Sequence, residues 1–410
     1  MNIAIVGGGI GGLALALGLH QRGLRCDVYE AVPEIKEVGV GITLLPHAMQ
    51  ELAALGLQPE LEAAGIENRE SVFFNRFGQY IYREPRGRHA GYAVPEVGIH
   101  RGKLHQALLS AVKQRLGEGA VHVDHRAVGI VQDEQAATIA FQTSTGQPLA
   151  PVRADVVVAC DGVNSALRRQ FYPHERLAFA GINTWRGVTV HPPILTGKSY
   201  LRIGSVETGK MVIYPIADNV DGQGNQLINW TAELQQPGAP MNDWNQPGDP
   251  ADVIAIVKDW RFEWLDVPAL VAASSRTFEY PMVDKDPVAR WTFGRMTMLG
   301  DAAHPMYPRG SNGSAQALID ARTLSEQLAR GGDPLAALAR YEALRLAPTA
   351  RVVETNRTVP PDFIITKADE LSGGKPIAGC IDDLISQDAL REISDTYKDV
   401  AGFSLDALKK

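Results

Sequence analysis

The sequence predicts an α/β protein: a Rossmann-like parallel sheet for a dinucleotide, an inserted and mostly antiparallel β-sheet, and helices at the C-terminal end. Three observations lead there. A strand–glycine loop–helix–strand unit fills the first 30 or so residues. Two later apolar strands each run straight into a turn rich in Gly and Asp. Between about 179 and 280, helical periodicity gives way to tryptophan, tyrosine and β-branched residues.

Asn2–Val6 (NIAIV) is a short apolar run that Gly7 to Gly12 break; Leu13 to Arg22 then has helical character, with Gly23 as its stop. Cys26 to Tyr29 forms the next strand and Glu30 ends it, completing the opening unit of a doubly wound sheet. Asp155–Ala159 and Met296–Leu299 are the two later strands, followed by Asp161-Gly162 and Gly300-Asp301. Ligands of open α/β sheets gather at the carboxyl ends of strands, so these turns are expected to meet in one crevice. Residues 313–330 and 334–351 are expected helices, and a polar, partly helical segment follows Pro360-Pro361.

Composition narrows the class. The 410 residues suggest two or three domains, and 45% hydrophobic with 21% charged residues is an ordinary globular balance. A net charge of -7 gives no pull toward nucleic acid or anionic lipid. Cys26, Cys160 and Cys380 are too far apart for a thiolate metal site, which suits reduced thiols and a cytoplasmic location. Ile3–Leu19 carries no charge, yet no Lys or Arg precedes it and six glycines interrupt it, so neither a signal peptide nor a membrane span is expected. The ten histidines, His304 included, show no metal-ligand spacing.

Gly7, Gly9 and Gly12 supply GxGxxG, with Ile10 and Gly11 between. The first glycine makes the tight turn, the second lets backbone approach a pyrophosphate, and the third lets helix pack on strand. The helix start then offers free N–H groups and partial positive charge to phosphates. Glu30, eighteen residues after Gly12, stands where a ribose hydroxyl would donate and a 2′-phosphate would be repelled. FAD or NAD is therefore the expected resident, not NADP.

Two later stretches decide between them. Cys160-Asp161-Gly162-Val163-Asn164-Ser165-Ala166-Leu167-Arg168 resembles the ADG..S..R motif of FAD-dependent aromatic hydroxylases. Gly300-Asp301-Ala302-Ala303-His304, with Pro308, Gly310, Gly313 and Asp320, resembles their GDAAH…P.G..G motif. With the glycine loop, three motifs stand in the family's order over about 300 residues. The stretches Tyr280–Pro287 and Met306–Gly313 look most like the methylphenazine-carboxylate monooxygenase type; salicylate hydroxylases are more distant.

The resemblance implies non-covalent FAD, with NADPH or NADH as a transient reductant, and hydroxylation by O2 through a flavin hydroperoxide. It implies that Gly300 and Asp301 hold the ribityl chain, although a helix-cap aspartate is the plain alternative. Gly313 and Ser314 would turn their N–H groups to the pyrimidine edge, where reduced flavin is anionic. Pro308 and Gly310 would lie by the reactive ring, Gly41 and Ile42 (with Gly39) in the loop beside it, and Arg101 next to the flavin. Asp161 and Gly162 would serve FAD and pyridine nucleotide, with Arg168 nearby. Cys160 replaces the usual alanine, and Ala315 stands where para-hydroxybenzoate hydroxylase has an asparagine. The implied division is residues 1–65, 96–178 and 281–355 for FAD, 66–95 and 179–280 for substrate, and 356–410 as a helical end.

Substrate identity is less legible. Tyr214, Trp230, Tyr307 and Arg309 are the pocket candidates, with Arg309 as partner for a substrate carboxylate and a structural arginine as the alternative. The expected partners are a small aromatic or N-heteroaromatic acid and O2, in a monomer or homodimer. A flavin reductase without oxygen insertion, an NAD dehydrogenase and a non-catalytic flavin binder are the competing classes.

Overall fold

The structure, a computed structural model, describes residues 1–36, 39–236 and 246–409. Ile3–Val6 is wholly buried and pairs in parallel with Cys26–Tyr29 on one side and Val156–Ala159 on the other. Met296–Met298 and Val121–His122 extend this sheet to five parallel strands. Both faces are covered, which is why IAIV and VVVA are continuously apolar rather than alternating. The strands after which Gly7, Cys160 and Gly300 follow are neighbours, so the three turns share one edge.

The first helix spans Ile10–Gln21, beginning three residues before the expected start. Its first hydrogen bond runs from Leu13 N–H to Gly9 O, so Gly11 and Gly12 fall in a first turn with no room for side chains: a Cβ on Gly11 would sit 2.8 Å from Leu299 Cδ2, and one on Gly12 2.0 Å from the Gly7 carbonyl oxygen. Further on, Gly313–Ala329 matches its expectation, whereas the next helix runs from Pro334 to Thr358. Burial of Val352, Val353 and Asn356 carries it past Pro348 and past the expected end at 351.

The second sheet has eight strands, taken from Glu70–Phe74, Tyr80–Pro85 and the region from Ala178 to Asp284. Pairing is antiparallel except between Ser199–Ser205 and Glu70–Phe74. Side chains alternate between its faces. Trp185, Met211, Ile213 and Trp230 pack outward beneath the helices Pro250–Val257 and Val267–Ala272. The opposite face carries Arg186, Val212, Tyr214 and Asn229, and is tied to the strand Gly41–Leu44 by Gly41 N–H donating to Asn229 Oδ1 at 2.7 Å. Over the far strands that same face is covered by the C-terminal helices Phe363–Ser372 and Gln387–Ala401, where Phe73 and Tyr82 meet Ile364, Ile365 and Leu390. Among the described residues, no helix is long and apolar enough to cross a membrane.

Candidate active site

The glycine loop folds as a cradle. Gly7 has φ of +113°, and a Cβ there would meet the Cys160 carbonyl oxygen at 2.3 Å, so only glycine allows this turn against the neighbouring strand end. Gly9 differs: nothing lies within 4 Å of where its Cβ would be. The first intrahelical bond runs from Leu13 N–H to Gly9 O, leaving the amides of Ile10, Gly11 and Gly12 without helical acceptors. Glu30 shapes the loop, accepting from Gly8 N–H at 2.7 Å and Val32 N–H at 3.0 Å. A carboxylate accepts more than two hydrogen bonds, so it retains capacity for a ligand hydroxyl. His105 Nε2, which sequence reasoning missed, bonds Gly8 O at 2.6 Å from the helix Arg101–Leu116.

Beside the loop, Asp161 Oδ2 accepts from Ala166 N–H at 2.9 Å, while its Oδ1 is buried with no partner. Burial pushes its carboxyl above the ordinary range. Gly162 has φ of +77° and open space beyond its Cα. Arg168 lies apart from this open space: it is 0% exposed, and its guanidinium is engaged by Glu175 and by the carbonyls of Ala302 and Ala303. It joins the Asp161 and Asp301 turns from beneath. Burial drives the Cys160 thiol well above its usual pKa, and the nearby Asp161 and Asp320 carboxylates push the same way.

Asp301 keeps an exposed side chain, yet burial still pushes its carboxyl up, with His304 and Arg101 pulling the other way. Gly300 (φ +62°) opens the turn, and its N–H donates to Asp320 Oδ2 at 3.2 Å. Asp320 also receives His304 Nε2 at 2.5 Å and Arg345 Nε at 2.6 Å. Burial alone would raise this carboxyl, but His304 and Arg345 overcome it and hold it at about 2. His304 therefore braces the turn.

Pro308–Gly310 forms a short 3-10 turn with Pro308 exposed, and the helix Gly313–Ala329 follows. Its first intrahelical bond is Gln316 N–H to Asn312 O, so the Gly313, Ser314 and Ala315 amides are open. Gly313 and Asp301 adjoin: a Cβ on the glycine would be 3.8 Å from Asp301 Oδ1. Arg101 is exposed at the start of its helix, and Gly39 passes close to its side chain. Gly41 and Ile42 lie on the strand clasped by Asn229.

The substrate candidates separate by strand parity. Tyr214 is on the inward face, stacked on Tyr200 with centroids 4.9 Å apart. Trp230 points the other way, fully buried beneath the outer helices with its N–H on Thr189. Tyr307 enters a cluster with Ile182, Val206 and Met282. Arg309 already has a carboxylate, Asp362, at 3.0 Å. Sequence reasoning missed Arg186: its guanidinium lies 5.1 Å from the Tyr280 ring centroid, and its buried Nε has no partner. Thr184 Oγ1 and Asn229 Nδ2, on the same face, are also buried without partners. Buried polar atoms are nearly always satisfied, so these three on one face are candidates for contact with a ligand. Parity signals Arg186 only once Trp185 is known to face outward.

These residues fit a dinucleotide flavin: a cradle that a Cβ on Gly9 would enter, an unpartnered Asp161 oxygen, an accessible Asp301 and two open helix starts. Among the described residues, no group of three or more His, Cys, Asp or Glu could hold a metal. Residues 1–356 match the family described as FAD binding domain. The chain is 39% identical over 362 residues to phenazine 1,6-dicarboxylic acid hydroxylase PhzS of Lysobacter antibioticus, covering 87% of this chain and 89% of that protein. It is 33% identical over 372 residues to 3-amino-4-hydroxybenzoate 2-monooxygenase PtnB3 of Streptomyces platensis, covering 88% of each. Its fold resembles Klebsiella pneumoniae HpxO complexed with FAD and uric acid, with a TM-score of 0.76 at 23% identity over 100% of this chain and 97% of that one.

Proposed function

This chain belongs to the FAD-dependent aromatic hydroxylases, and on that footing we propose that it uses NAD(P)H and O2 to hydroxylate a small carboxylated aromatic or N-heteroaromatic ring. One oxygen atom enters the ring and the other leaves as water, with NAD(P)H and a proton consumed. FAD supplies hydride acceptance and oxygen activation; the chain's residues supply position, charge and dryness. The open amides of Gly313–Ala315 offer a positive helix end for negative charge on the ring. Asp301, Gly300 and Arg101 orient the middle of the cofactor, and the cradle from Gly7 to Gly12 takes its pyrophosphate.

The single observation that carries the substrate class is the inward face around Arg186. A guanidinium with no carboxylate among the described residues, standing over Tyr280 and beside Tyr214, suits an aromatic acid: the charge takes a carboxylate and the rings take the ring. In this reading Arg186 has the role expected of Arg309, which Asp362 occupies. The names of the two relatives support it, since each acts on an aromatic acid.

The test is a screen of aromatic acids for stimulated NADH and NADPH oxidation, with mass detection of a product heavier by one oxygen. No stimulated oxidation with any of them would sink the proposal; oxidation without oxygen transfer would point to a reductase. Arg186→Met should raise KM for the best acid about tenfold or more, equivalent to losing about 1.4 kcal/mol of binding, and leave its neutral amide unaffected.

A further inference from the structure

We propose that the C-terminal helix Gln387–Ala401, acting through the Tyr397 hydroxyl, positions the Pro308–Gly313 loop for FAD. This rests on the reading that the loop borders the flavin. The helix lies wholly beyond residue 356, where the family match ends.

Three loop residues meet the C-terminal segment. Arg309 pairs with Asp362. Asn312 Nδ2 donates to the Tyr397 hydroxyl oxygen at 2.8 Å and to Gly310 O at 3.2 Å. Gly310 packs so tightly on the tyrosine that a Cβ would lie 1.5 Å from its hydroxyl oxygen. The hydroxyl in turn donates to Asn356 Oδ1 at 2.7 Å, and Asn356 Nδ2 donates to Tyr307 O at 3.2 Å. One phenol thus grips both ends of the loop, residue 307 through Asn356 and residue 312 directly.

The loop needs such a grip. Ser311 has φ of +54°, a left-handed conformation that non-glycine residues adopt at a cost and keep only where the surroundings impose it. Asn312 is completed by His47 Nε2, which donates to its Oδ1 at 2.8 Å. Every polar atom of that amide is then directed, and Asn312 is the residue from which the helix with the open Gly313 and Ser314 amides departs. Gly310 therefore has a second reason to be glycine: it makes room for Tyr397.

The experiment compares Tyr397→Phe with Leu390→Val, a core change on the same helix that touches no loop residue. Tyr397→Phe should weaken FAD binding to the apoprotein about tenfold, the scale of one buried hydrogen bond, and shift the bound flavin's absorption spectrum. Leu390→Val should lower the melting temperature and change neither. In the unaltered chain, FAD binding should slow amide exchange in 387–401 as well as in 308–314, since coupling is reciprocal. Unchanged FAD affinity and spectrum in a folded Tyr397→Phe, or no exchange response in 387–401, overturns the inference. Failure of the unaltered chain to bind FAD would overturn the flavin reading itself.

Discussion

Arg168 donates from one guanidinium nitrogen to two successive carbonyl oxygens, Ala302 at 2.9 Å and Ala303 at 2.6 Å. This joins the turn carrying Asp161 to the turn carrying Asp301, with Glu175 balancing the charge. A lysine has a point charge where arginine has a planar fork and cannot reproduce all these bonds. Arg168→Lys should cost about 2–4 kcal/mol of stability, because carbonyls and a carboxylate lose buried partners. Chemical denaturation measures this, and an unchanged midpoint would show that the bridge contributes nothing.

The glycine loop separates packing from ligand approach. Gly12→Ala places a methyl 2.0 Å from a backbone oxygen and should destabilise the protein even without cofactor. Gly9→Ala meets no protein atom within 4 Å. Its apoprotein should keep its stability to within about 1 kcal/mol, while FAD affinity falls at least tenfold, about 1.4 kcal/mol. Should Gly9→Ala bind FAD normally, the cradle is not where the pyrophosphate lies.

His47 predicts a pH dependence of stability. Burial lowers its pKa to about 4, against 6.5 ordinarily, despite the hydrogen bond to Asn312. Between those values the unfolded chain binds a proton that the folded chain does not. Stability is therefore full above pH 6.5 and falls as pH drops toward 4, by up to about 1.4 kcal/mol per pH unit. His47→Gln keeps a donor for Asn312 and should flatten this part of the profile. Equal slopes for the two proteins in urea titrations from pH 7 to 4.5 would refute the assignment.

Tyr214 and Trp230 should part company in kinetics. Trp230→Phe is expected to lower stability by about 1–3 kcal/mol with KM unchanged, since it packs under the outer helices. Tyr214→Phe removes a hydroxyl from the inward face and should change kcat/KM for the aromatic acid by about tenfold, one hydrogen bond's worth. A KM shift in Trp230→Phe alone would reverse the assignment of faces.

Most of the cofactor half was legible because its signals are local. Gly7, Gly12 and Gly300 report backbone conformations and close approaches that a short stretch imposes, and the apolar runs around them leave few ways to build the sheet. The substrate half was less legible for an equally definite reason. A strand turns alternate residues to opposite faces, and nothing near Trp185 or Trp230 says which face a helix will cover. The pairing of Arg309 with Asp362 could not be read from the sequence, because that partner is 53 residues away and arrives only on folding.

The chain's sequence alone determined the parallel sheet, the dinucleotide cradle and the order of the three turns, since these follow from side-chain size and backbone freedom over a few neighbouring residues. Only the tertiary structure decided that Arg186 lies on the inward face with no carboxylate among the described residues, which aromatic looks inward, and that Tyr397 reaches back to the loop at 308–313. Those depend on charges and faces meeting across long chain separations, where spacing along the sequence holds no information about distance in space.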